Sequence, residues 1–154
     1  MDNEFEKARS YAYRLLALRQ RTKKELGLRL RQKGFAPELT GQVLDLLAEY
    51  GYIDDRVFAS NWVEQRLGKR GLKGLKQELL GKGISSEIIN EALAKLGTDA
   101  EYNAALKLAK KVLLRGDKVF SNSRLAGALS RRGYSNEVIS QVCRAARDGL
   151  IALF

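Results

Sequence analysis

The sequence predicts an all-α protein, an elongated, curved array of three tandem three-helix repeats, and three observations predict it. One pattern occurs three times: Leu, three residues, Leu, three residues, Gly, then a large apolar residue. The copies are Leu26-Leu30-Gly34-Phe35, Leu75-Leu79-Gly83-Ile84 and Leu125-Leu129-Gly133-Tyr134. Their glycines stand 49 and then 50 residues apart, and agreement continues past each one: Glu38, Glu87 and Glu137, then Leu39, Ile88 and Val138, then Val43, Ala92 and Val142. The second observation is the single proline, Pro37, in a chain rich in Leu, Ala, Lys, Arg and Glu, which favour helices. The third is that few runs alternate apolar and polar residues with period two. Repeats of this length are ordinarily stacked supersecondary units that offer a long surface to a long partner. The expected units are 1–53, 54–97 and 98–154.

Nine helices are expected, three per repeat. The first, about 4–19, has Phe5, Ala8, Ala12, Leu15 and Leu16 on one face. Thr22-Lys23-Lys24-Glu25 is a capping box that opens the second, which ends before Gly34, a residue suited to a left-handed C-terminal turn. Pro37 fits the first turn of the third, which is expected to bury Leu39, Val43, Leu46, Leu47 and Tyr50. Asp54 can cap the fourth, which carries Phe58, Trp62, Val63 and Leu67 and ends at Gly68 and Gly71. The fifth spans 72–82 and stops at Gly83. Ser85 or Ser86 caps the sixth, with Ile88, Ile89, Ala92, Leu93 and Leu96. A second capping box, Thr98-Asp99-Ala100-Glu101, opens the seventh, which runs to about Leu114; the eighth spans 121–132 and the ninth 135 to about 151. The expected flexible joints are Gly68-Lys69-Arg70-Gly71 and Arg115-Gly116-Asp117-Lys118.

Of the 154 residues, 45% are apolar, enough for a core. The net charge is +10, divided as +3 in 1–50, +2 in 51–97 and +5 in 98–154, so the excess is not one detachable tail. Such a balance points to a polyanion, most often nucleic acid; its structural reading is a solvated basic surface. One cysteine, Cys143, excludes an intramolecular disulfide and a cysteine zinc cluster, and its neighbours Val142 and Ala146 mark it as a core residue. The first residues lack the basic flank and apolar stretch of a secretory signal, and the longest apolar run, Leu150-Ile151-Ala152-Leu153-Phe154, is far short of a membrane span. A cytoplasmic protein is expected.

The absence of histidine removes the commonest general base and metal ligand. Asp54-Asp55 is the only adjacent acidic pair, and neighbours on a helix diverge by about 100 degrees, so it forms no shared-proton dyad. Gly68-x-x-Gly71-x-x-Gly74 lacks the Gly-x-Gly step, a following Lys-Ser/Thr and a preceding strand, so it is no nucleotide signature. No enzyme, cofactor or metal is expected.

The basic residues are better ordered. Lys107, Lys111 and Arg115 recur every fourth residue with Lys110 beside them, opposite Tyr102, Ala105, Leu106, Ala109 and Leu113. Lys69, Arg70, Lys73 and Lys76 straddle a helix start, while Arg131, Arg132, Lys33 and Lys82 close helices, where the dipole alone would favour them. Flexible Lys and forked Arg groups on successive units suit a linear polyanion. The candidate contacts to partner or DNA are therefore Lys69, Arg70, Lys73, Lys76, Lys107, Lys110, Lys111, Arg115, Arg131 and Arg132. Tyr11, Tyr13, Tyr52, Trp62 and Tyr134 have the chemistry to stack on unpaired bases. Trp62 and Tyr134 lie at apolar positions that favour core packing, which leaves Tyr13, next to Arg14, as the better candidate.

The segments Tyr11-Ala12-x-Arg14-Leu15-Leu16-Ala17, Lys24-Glu25-Leu26 through Lys33-Gly34-Phe35, and Gly51-Tyr52-Ile53-Asp54-Asp55 with Phe58-Ala59 resemble the first repeat of RecX regulatory proteins. Arg70-Gly71 through Leu79 and Lys82-Gly83-Ile84 resemble the second repeat of that family, and Arg131-Arg132-Gly133-Tyr134 its third. The chain departs at residues 68–74, where relatives often carry more Arg and an aromatic, but it keeps the positive charge. The resemblance implies a curved array of three-helix repeats that binds RecA and its filament on single-stranded DNA. It implies a place in the filament's helical groove, mainly restraint of recombinase, ATPase and coprotease activities in DNA repair and the SOS response, and some contact with DNA. A monomer with weak, non-specific DNA binding and no membrane partner is expected. Two other readings are a helix-turn-helix DNA-binding regulator that does not act through RecA, and a scaffold independent of DNA. Against the former, the basic residues spread over all three repeats with no recognition helix evident.

Overall fold

A computed structural model of the chain describes residues 3–97, 99–114 and 121–149. Among these residues there are nine α-helices and no strand: α1 (Asn3–Leu18), α2 (Lys23–Lys33), α3 (Pro37–Glu49), α4 (Asp55–Arg66), α5 (Leu72–Gly81), α6 (Ser86–Ala94), α7 (Ala100–Leu114), α8 (Asn122–Arg131) and α9 (Asn136–Arg147).

Local chemistry sets most of the helix ends. Thr22 caps α2 and Glu25 reaches back to the Thr22 amide, completing the expected capping box. Asp54 Oδ1 accepts from the Arg56 and Val57 amides at 3.0 and 3.3 Å, while Ser85, Ser121 and Ser135 accept from the third residue onward. Pro37 opens α3, whose N-cap Ala36 contributes no side-chain bond. The three repeat glycines, Gly34, Gly83 and Gly133, have φ of 108°, 87° and 82°, a left-handed conformation that a Cβ would disfavour. α9 ends at Arg147, earlier than the sequence pattern suggested, and Gly149 follows at φ 71°. Thr98 of the second capping box, the Arg115-Gly116-Asp117-Lys118 joint and the apolar run 150–154 lie outside the described residues.

The chain divides into two compact units, Met1–Asn61 with Leu79–Ile89, and Trp62–Glu78 with Asn90–Phe154. In the first, α1, α2 and α3 pack pairwise around Ala8, Ala12, Leu15, Leu26, Leu30, Val43, Leu44, Leu47 and Ile53. In the second, α7, α8 and α9 pack pairwise around Ala105, Ala109, Leu125, Leu129, Tyr134, Ile139, Val142 and Cys143. The repeated leucines are fully buried: Leu26, Leu30, Leu75, Leu79, Leu125 and Leu129 are each at most 1% exposed. Full burial of one such side chain contributes about 1.5–3 kcal/mol. Tyr50 departs from expectation. It is 64% exposed, because α3 ends at Glu49 and Tyr50 is already the C-cap, beyond the buried stripe of Thr40, Val43, Leu44 and Leu47.

Candidate functional site

The second unit contains a junction in which one helix end closes another. α8 leaves the carbonyls of its last turn without intrahelical partners, and α5 leaves its first amides in the same state. The two sets meet: Gly71 N donates to Arg132 O at 2.9 Å, and Gly74 N donates to Gly133 O at 3.3 Å. The approach is backbone to backbone and leaves no room for side chains. A Cβ on Gly74 would stand 2.6 Å from Arg132 O, and one on Gly71 would stand 2.6 Å from Tyr134 N. Gly71 and Gly74 are therefore packing glycines, which accounts for the last two glycines of the Gly-x-x-Gly-x-x-Gly spacing. The same contact ties down residues 68–71, expected from sequence to be a loose joint. Lys69 N and Arg70 N both donate to Arg66 O, at 2.8 and 2.9 Å, and Gly71 is buried.

Tyr134 locks the crossing from the α8 side. It is 3% exposed, and its hydroxyl donates to Leu67 O at 3.1 Å. Burial, with the Glu101 carboxylate nearby, raises its pKa. Glu101, itself buried, accepts from Ser135 N at 2.7 Å and so fixes the start of α9 against α7.

Around this crossing lies a cleft of about 700 Å³, and four of the sequence candidates line it: Arg70, Lys73, Arg131 and Arg132. Glu78 is the acid among its lining residues, and it is already engaged. It forms a two-point pair with Arg66 (Nη2–Oε2 3.1 Å, Nε–Oε1 3.3 Å) and a longer contact with Arg70 at 3.9 Å. Arg132 Nη1 donates to Ala128 O at 3.2 Å, whereas Lys73 and Arg131 are exposed. The first turn of α5 holds no acid but carries Lys73, with Arg70 just before it. A helix N-terminus favours negative charge, so these two cations gain nothing from their own helix. Guanidinium and ammonium groups that line a cleft whose one carboxylate is engaged have the chemistry to pair with a phosphate or carboxylate.

The other candidates lie elsewhere. Lys69 is exposed and Lys76 half-buried, and neither lines the cleft. On α7, Lys107 and Lys111 are exposed while Lys110 is half-buried, opposite Ala104, Ala105 and Ala109; Arg115 lies outside the described residues. Of the aromatic candidates, Tyr134 is core. Tyr13 is half-buried with its ring edge-on to Tyr52 at 5.2 Å, and Trp62 is half-buried beneath the Arg66 guanidinium at 5.1 Å. Sequence reasoning missed Glu78, Gln77, Ser130 and Asn136 as lining residues. No local pattern marks them, since Glu78 meets Arg66 across a turn. Cys143 is buried, and burial raises its thiol pKa, which leaves it poorly reactive. Among the described residues, no cluster of His, Cys, Asp or Glu could hold a metal, and no helix is long and apolar enough to cross a membrane.

Family models match two parts of the chain: the first three-helix domain of RecX over residues 8–47 and the second over residues 54–93. The chain is 37% identical over 149 residues to the regulatory protein RecX of Mycobacterium sp. (strain JLS), covering 91% of this chain and 81% of that one. It is 38% identical over 146 residues to the protein of the same name from Mycobacterium avium (strain 104), covering 91% and 84%. The crystal structure of RecX from Lactobacillus salivarius superposes with a TM-score of 0.85 at 21% identity, over 96% of this chain and 99% of that one. A second crystal structure, of a regulatory protein RecX, gives 0.81 at 24% identity over 91% and 73%. The tandem three-helix, all-α fold is thus shared with solved structures, and by sequence the chain belongs to the RecX family of regulatory proteins.

Proposed function

We propose that this chain binds RecA and the filament RecA forms on single-stranded DNA, in the helical groove of that filament, and mainly restrains its recombinase, ATPase and coprotease activities without any covalent step. The observation that carries this reading is the cleft of Arg70, Lys73, Arg131 and Arg132, formed where two helix ends close on each other. A filament of protein on DNA presents regularly spaced phosphates, and such a cleft matches their charge. Lys69, Lys76, Lys107, Lys110, Lys111 and Arg115 extend the basic surface in this reading, with the units 1–53, 54–97 and 98–154 each contributing contacts. Linked contacts raise avidity because each further one forms at high effective concentration. The protein works as a soluble cytoplasmic monomer and binds free DNA weakly and without sequence preference.

Capture of RecA by the immobilised chain, with and without single-stranded DNA and nucleotide, tests the reading. Preferential retention of the assembled filament is expected. Equal retention of free RecA would place recognition on the protomer, and binding of DNA with no retention of RecA in either state would sink the proposal in favour of a DNA-binding regulator.

A further inference from the structure

The internal repeat carries the chemistry of the cleft to a second place. Moving 49 residues back along the sequence takes Gly71 to Thr22 and Lys73 to Lys24; moving 50 back takes Arg132 to Lys82 and Gly133 to Gly83. Within the first unit these residues also meet, here through a side chain in place of a backbone amide. Thr22 Oγ1 donates to Lys82 O at 2.7 Å, the counterpart of the bond from Gly71 N to Arg132 O. A Cβ on Gly83 would run into the Lys24 side chain, as one on Gly133 would run into Gly74.

Beside this junction lies an open cavity of about 340 Å³ whose wall includes Lys23, Lys24, Arg31, Thr40, Gly41 and Asp55. Lys24 and Arg31 are exposed, and among the described residues neither has an ion-pair partner. Asp55, on the cavity wall, accepts from Lys23 N at 3.0 Å through Oδ1, and Asp45 holds Lys23 Nζ at 3.4 Å. Thr40 is 4% exposed, and its hydroxyl is buried without a hydrogen-bond partner, a costly state for a donor. Gly41 stands inside α3, where alanine would favour the helix, yet nothing lies within 4 Å of where its Cβ would be.

We propose that this cavity is a second phosphate-binding site, taking a phosphodiester group of a single nucleic-acid strand. Lys24 and Arg31 neutralise the phosphate, and the Thr40 hydroxyl supplies a hydrogen bond to one of its oxygens. The assignment rests on reading the related cleft as a site for the DNA of the filament. It extends that contact to the first repeat, in which the sequence singled out no cation for DNA.

The test is equilibrium binding of single-stranded oligo(dT) to the full chain, without RecA, across a range of salt. Changing Lys24→Gln together with Arg31→Gln removes both cations of this one phosphate, which should flatten the slope of log K against log[salt] by about 0.7, the value for one phosphate on a single strand. Thr40→Val keeps the shape and removes the donor, so binding should weaken several-fold with the slope unchanged; Thr40→Ser should bind like the parent. An abasic strand with the same number of phosphates should bind as oligo(dT) does. An unchanged slope in a folded Lys24/Arg31 variant, parental binding by the Thr40→Val variant, or failure to bind the abasic strand would each overturn the site. Failure to capture RecA would overturn only the reading of the partner, because RecA is absent from this measurement.

Discussion

Gly71 and Arg132 are 61 positions apart in the sequence, yet the amide of the first donates to the carbonyl of the second at 2.9 Å. That bond joins the start of α5 to the end of α8, and it forms because neither Gly71 nor Gly74 carries a side chain. Gly74→Ala would place a methyl 2.6 Å from Arg132 O. The expected cost is about 1–3 kcal/mol, as for other overpacked sites. Gly68→Ala, with nothing within 4 Å, should stay within about 0.5 kcal/mol of the parent. Urea denaturation of the two variants reads the contrast; equal midpoints would show that the crossing is not tight in solution.

Glu25 sets an acid limit to the stability of the first unit. Burial disfavours its charge. The hydrogen bond from Arg19, the Thr22 amide and the nearby Lys82 and Arg19 charges outweigh that cost and lower its pKa in the folded protein. A carboxylate with a depressed folded pKa contributes stability that is fully present above its unfolded value, about 4.3, and is lost as pH falls through the folded one. Parent and Glu25→Gln should therefore converge in unfolding midpoint as pH drops below about 4. A constant gap between them down to pH 2 would show that the carboxylate gains nothing from its partners.

Leu125 and Leu129 test the repeat leucines. Both are at most 1% exposed and belong to the cluster that binds α7, α8 and α9 together. Changing both to Ala should cost about 2–5 kcal/mol at each site, enough to unfold the third repeat of a protein of ordinary stability. Circular dichroism and amide exchange should show helix loss in the second unit, centred on α7, α8 and α9, with α1, α2 and α3 retained. Retention of full helicity with an unchanged midpoint would contradict the packing.

The basic stripe on α7 offers a functional test that leaves the core alone. Lys107, Lys110, Lys111 and Arg115 changed to Gln should leave the fold intact, since Lys107 and Lys111 are exposed and surface changes are small in stability. Engagement of the RecA–DNA filament should weaken, and the effect on its ATP hydrolysis should shrink. If this variant modulates RecA like the parent while Arg70→Gln with Lys73→Gln and Arg131→Gln does not, the cleft carries the contact and α7 does not.

What the sequence determined by itself was governed by near neighbours. The spacing of Leu26, Leu30 and Gly34 and its two repetitions is enough for three helix ends, because a buried Leu one turn from the next and a glycine at positive φ are local requirements. The capping box at Thr22, the cap at Asp54 and a cap at Ser85 or Ser86 were legible for the same reason, since each bond closes within three residues, while Ser121 and Ser135 were legible only as helix starts. The ten candidate cations were legible as types, and their gathering was not. Arg70 and Lys73 meet Arg131 and Arg132 because the amides of one helix start find the carbonyls of a helix end some sixty residues on, a pairing that leaves no periodic trace. Tertiary structure also decided that Gly71 and Gly74 serve packing and that Glu78 is held by Arg66. A contact between distant backbones depends on where whole helices end in space, and a pattern of side chains along one helix does not encode that.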